Sequence, residues 1–115
     1  MFDVEEIVDT DTEADELEEV VMGLIINSGS ARSQAYAALK KAKQGDFVAA
    51  HEMMAQSRLA LNEAHRVQTQ LIESDQGLGK MKVSLVLVHA QDHLMTSMLA
   101  RELIAELIEL HQKMQ

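Results

Sequence analysis

The 115-residue chain has no cysteine, no proline and no tryptophan. Without cysteine there are no disulfides, no thiolate zinc sites and no thiol nucleophile, which suits a reducing compartment. Without proline nothing forbids long helices, and the five glycines mark the breaks. Phe2, Tyr36 and Phe47 are the only aromatic side chains, too few for a base-stacking platform. Basic residues are scarce beside acidic ones, 10 against 19, and the net charge of −9 has the wrong sign for a nucleic-acid surface. No apolar run reaches the roughly 18 residues of a membrane span, so no membrane insertion is expected. The acidic start lacks the basic-then-apolar order of a signal peptide. The expectation is one soluble, cytoplasmic domain.

What the chain does have is helical periodicity. Residues 1–13, rich in Asp and Glu, are expected to form an acidic disordered tail ahead of a single domain, 14–115. A first helix is predicted from about Ala14 to Gln44, with Leu17, Val20, Val21, Leu24, Ala31, Ala35, Ala38 and Ala42 as one buried stripe. Asn27-Ser28-Gly29-Ser30 is expected to kink it. Lys40, Lys41 and Lys43 suit its negative C-terminal end, Gly45 ends it, and Asp46 can cap the next helix. The second helix is predicted over 47–74, with Phe47, Ala50, Met54, Leu61, Ala64, Leu71 and Ile72 as its stripe. A loop follows at Asp75–Gly79. The third helix is predicted over 81–113. Rods of about 45 Å joined by short connections give an all-α, antiparallel up-down-up three-helix bundle. The N-terminal half of the third helix is apolar almost all round, which a lone bundle cannot bury. A homo-oligomer with third helices at its centre is the economical solution.

Inside that apolar stretch lies Val88-His89-Ala90-Gln91-Asp92-His93-Leu94-Met95-Thr96. At about 100° per residue, His89, Asp92 and His93 share a helical face. Polar groups there are costly unless each finds a partner or does chemistry. Three readings compete. His-x-x-x-His with Asp92 is chelating geometry, so a helical metal-binding protein using His89, Asp92 and His93 is one. Histidine as a phosphoryl carrier is the second: a neutral imidazole is a good nucleophile near pH 7, with Gln91, His93 and Thr96 as donors to phosphoryl oxygens. The third is a silent polar layer that sets register in an oligomer. No arginine shares the stripe near His89, which fits a transient carrier better than a fixed phosphate pocket. His51, His65 and His111 have no polar constellation around them and read as surface or boundary residues. The eight methionines read as adaptable core filling.

The stretch from Lys80 to Thr96 resembles the signature of the enzyme IIA components of the lactose/cellobiose/chitobiose branch of the bacterial phosphotransferase system (PTS). The stretches Leu17–Gly29 and Leu59–His65 fit the same family, so the resemblance spans nearly the whole chain after the acidic tail. It lies nearest the enterobacterial N,N'-diacetylchitobiose type. The resemblance implies a homotrimer of three-helix subunits. It implies that His89 accepts phosphate from phospho-HPr through Nε2 and passes it to a cysteine of the cognate IIB protein, during uptake of a β-linked disaccharide of the chitobiose or cellobiose kind. It places His93 beside the acceptor. It also implies that Asp92 gathers with its symmetry mates around a metal ion on the trimer axis; oxygen-only ligation suits a hard divalent cation such as Mg2+.

Overall fold

Three long helices account for almost all of residues 11–115, which the computed structural model of the chain describes. They are α1 (Asp11–Lys43), α2 (Phe47–Asp75) and α3 (Leu85–Lys113). No strand occurs among the described residues. The bundle measures 57 × 23 × 20 Å, so its length is set by the helices themselves. Helix α1 begins at Asp11, ahead of the expected start, which makes residues 11–13 helical. The rest of the expected acidic tail, residues 1–10, lies outside the described residues.

Local chemistry fixes the ends. Lys40, Lys41 and Lys43 occupy the last turn of α1, and Gly45 takes the positive φ of 82° that turns the chain. Asp46 then caps α2, its carboxylate accepting from the Ala49 N–H at 3.1 Å. Gln76 ends α2 in the left-handed region, its N–H donating to the carbonyls of Ile72 and Glu73. The loop that follows is organised by Asp75, whose carboxylate accepts from the N–H groups of Gly79 (3.2 Å) and Met81 (2.9 Å). These bonds, that of Met81 foremost, hold the Asp75 carboxyl below its ordinary value. Helix α3 starts only at Leu85, not at Met81 as periodicity suggested. Ser84 is its cap, the hydroxyl accepting from the Leu87 N–H at 3.1 Å.

Helix α1 is the hub of the bundle: it packs extensively on both α2 and α3, which touch each other far less. Its predicted stripe is the observed one, with Val21, Leu24, Ala31, Ala35, Ala38 and Ala42 all buried. The helix runs through Asn27–Ser30 unbroken, without the irregularity expected there. Ser28 fits because it faces the core, and Gly29 because it faces α3. The core has two apolar clusters. One joins Val21, Leu24, Ala64, Leu71, Leu87, Ala90 and Leu94; the other joins Ala35, Ala38, Ala42, Ala50, Met54, Ile104 and Ile108. Each helix contributes a buried serine as well: Ser28, Ser57 and Ser97. Small residues permit close approach, and the Ser57 hydroxyl donates across it to the Ala31 carbonyl at 2.6 Å. Ile72, expected on the α2 stripe, is 59 % exposed instead.

A histidine pair on the seam of helix α3

Helix α3 carries two apolar faces, and this decides where its polar residues sit. Leu87, Ala90, Leu94, Ser97, Ile104 and Ile108 face the core. Taking His89 as origin, they fall at about 60–160° around the helix. Leu85, Val88, Met95, Leu99, Leu103 and Leu110 fall at about 240–320° and are exposed, Leu85 to 86 %. Asp92 stands at about 300°, in the middle of the open apolar face, and is itself exposed. His89 (0°) and His93 (about 40°) lie on the seam between the faces, the first exposed and the second half-buried.

The two imidazoles stack. Their centroids are 5.8 Å apart and the ring planes differ by 9°. Burial of the His93 ring, the Arg32 guanidinium of α1 and the neighbouring His89 together hold His93 below the ordinary histidine value. His93 is therefore neutral near pH 7, so it donates through one ring N–H and not as an imidazolium. The Thr96 hydroxyl is occupied: it donates back to the carbonyl of Asp92 at 2.9 Å, with that of His93 at 3.3 Å. It must release the backbone to reach a phosphoryl oxygen.

Gln91 does not join the pair within one chain. Two residues from His89, it points about 200° away, where the Gln68 amide of α2 donates to its Oε1. The histidines at 51 and 65 are exposed and His111 is half-buried, as expected for surface and boundary positions. His51 adds a weak 3.4 Å contact to Gln112 that links the start of α2 to the end of α3.

Three residues around the site escaped the sequence. Arg32 brings the cation that α3 lacks near His89, and nothing in its local pattern marks it. Gln68 was legible as a polar residue on the Ala64–Leu71 stripe. Gly29 was visible as a mid-helix glycine, but its place against the His93 ring was not.

The metal reading fails within a single chain. No three His, Cys, Asp or Glu side chains gather into a ligand set among the described residues. His89 and His93 stack face to face instead of converging on a point, and the Asp92 carboxylate has no partner there. No described helix is long and apolar enough to cross a membrane.

The class that emerges is an all-α bundle displaying an exposed imidazole, that of His89, on its outer surface. Residues 19–112 match the family model described as the lactose/cellobiose-specific IIA subunit of the PTS system. The chain is 80 % identical, over 99 % of its length and 98 % of the relative's, to the N,N'-diacetylchitobiose-specific EIIA component of Escherichia coli K12. It is 38 % identical, over 86 % of its length and 90 % of the relative's, to the lichenan-specific enzyme IIA component of Bacillus subtilis. Among solved structures it resembles the E. coli chitobiose IIA protein in its complex with HPr (TM-score 0.76, 83 % identity, 85 % of this chain and 95 % of that one). It also resembles the cellobiose-specific enzyme IIA of Bacillus anthracis (TM-score 0.81, 44 % identity, 93 % and 94 %). The chain belongs to the lactose/cellobiose-specific IIA family of the phosphotransferase system, and its activity is that of a phosphoryl carrier.

Proposed function

We propose that His89 is the phosphoryl acceptor, that HPr is the donor and the cognate IIB protein the recipient, and that the sugar served is N,N'-diacetylchitobiose. The observation that carries this is the exposed imidazole of His89 stacked on a neutral, half-buried His93. The stack fixes the acceptor ring while leaving its edge open to a partner. A lone pair on the His89 ring attacks phosphorus as the bond from phosphorus to the HPr nitrogen breaks and that nitrogen keeps the electron pair. The second transfer repeats this with the IIB thiolate as nucleophile and His89 as leaving group. His93 donates to the phosphoryl oxygens; Gln91 and Thr96 join only if their present bonds are exchanged. The chitobiose assignment rests on the 80 % identity to the E. coli component. Work among soluble phosphorelay proteins supports a cytoplasmic location.

The open apolar face of α3 supports a homotrimer, with that face as its seam. Asp92 then meets its counterparts near the axis. One chain offers a cation a single carboxylate, so Mg2+ fits only through assembly, with Asp92 of each copy as ligand.

Incubation with phosphoenolpyruvate, enzyme I and HPr should place one acid-labile, base-stable phosphoryl group on each chain. His89→Ala should abolish it, and His51→Ala, His65→Ala and His111→Ala should not. Label that persists on His89→Ala overturns the assignment.

A further inference from the structure

Helix α1 contains two glycines, residues poorly suited to a helix interior, and their surroundings differ. A Cβ built on Gly23 meets nothing within 4 Å. A Cβ built on Gly29 lies 3.3 Å from Nε2 of His93. The tip of the His93 ring is thus seated over the bare α-carbon of Gly29. The seat is completed by His89, whose ring lies parallel at 5.8 Å. Arg32, one turn further along α1, and His89 are the charged and titratable groups that act on His93 there.

We propose that Gly29 is a positioning residue for phosphoryl transfer: by presenting no side chain, α1 lets His93 tuck in and lie parallel to His89. This rests on His89 being the acceptor. A methyl group at position 29 is too close for the present ring position, so the ring tip must give by a few tenths of an ångström. Any such shift changes the position of the ring relative to the parallel His89 ring, 5.8 Å away. A longer side chain takes the seat altogether and turns His93 out into water. Both changes disturb the ring that fixes the acceptor, and transfer is sensitive to displacements of about an ångström.

Gly29→Ala and Gly29→Leu are to be compared with Gly23→Ala and Gly23→Leu in the full chain. The first measurement follows the imidazole resonances of the unphosphorylated, 15N-labelled protein across pH. The second follows the rate of phosphoryl acceptance against phospho-HPr concentration. Both Gly29 variants should shift the His93 ring signals. Gly29→Leu should also raise the His93 pKa toward the ordinary value of about 6.5. The maximal rate should fall roughly tenfold or more, while the phospho-HPr concentration giving half that rate stays the same, because docking is untouched. The Gly23 variants should leave spectra and rate as in the wild type.

The proposal is overturned if the His93 signals in the Gly29 variants match the wild type, or if the Gly23 variants move them as far. A displaced His93 with an unchanged maximal rate overturns it too. If Gly29→Leu does not fold, Gly29→Ala carries the same tests. A His89→Ala variant that still accepts label refutes the acceptor assignment separately, since the imidazole spectra need no phosphoryl group.

Discussion

His93 is the residue whose charge tells most about the site. Its pKa lies below the ordinary value in the free protein. Phosphorylation of His89 would set a dianion beside it, and an opposite charge at that range favours the protonated ring. The His93 titration should therefore move upward on phosphorylation, seen in the imidazole resonances of the two forms; a downward move or none would refute the geometry. The same depression acts on stability. Between the folded pKa and about 6.5 the unfolded chain binds more protons, so stability falls as pH drops through that window and levels off below it. Wild type should lose more stability than His93→Asn between pH 7.5 and 5, measured by urea unfolding. Gln68 makes a complementary case. It is buried, and its amide is the partner of the Gln91 oxygen. Gln68→Leu leaves that oxygen unpaired and should cost about 1–3 kcal/mol, checked by the same unfolding experiment.

Among the elements, helix ends carry energies that periodicity hides. Ser84 accepts the Leu87 N–H, and Ser84→Ala should cost about 1 kcal/mol, read as a lower denaturant midpoint at unchanged slope. Gly23, with open space around it, should by contrast gain about 0.5–1 kcal/mol as alanine. The same contrast explains what was legible in the sequence. Helix number, order and core stripes followed from spacing, because a residue every three or four positions has one face to bury. The start of α3 did not, because Met81 and Val83 continue the apolar pattern while the Asp75 carboxylate holds Met81 in the loop. The His89–Asp92–His93 face was legible from helical arithmetic alone. Gln91 is close to His89 along the helix but about 200° from it around the helix, so within one chain it meets Gln68 instead. Arg32 and Gly29 act across helices, and no local pattern records which residues of α1 will lie under α3.

For the whole molecule, the second apolar face of α3 is the seam of the proposed homotrimer. Leu87 belongs to the core of its own chain, so a charge there would unfold the subunit without testing the seam. Leu99 and Leu103, each 56 % exposed, are the sites to use. Leu99→Glu should leave the helical spectrum intact and shift sedimentation equilibrium from three chain masses toward one. Asp92 interrupts that face with a carboxylate that has no partner among the described residues. Brought together on an axis, three such groups repel one another and resist desolvation, and they persist only by taking up protons or sharing a cation. Asp92→Leu removes the repulsion and extends the apolar seam from Val88 to Leu99. Replacing buried ionic groups by apolar ones often stabilises by about 1–4 kcal/mol. The variant should therefore melt above the wild type in EDTA and be indifferent to the chelator, whereas the wild type should lose stability when EDTA removes a bound cation. A variant that melts well below the wild type in EDTA would mean that Asp92 makes a favourable contact between subunits, and the repulsion argument would fall.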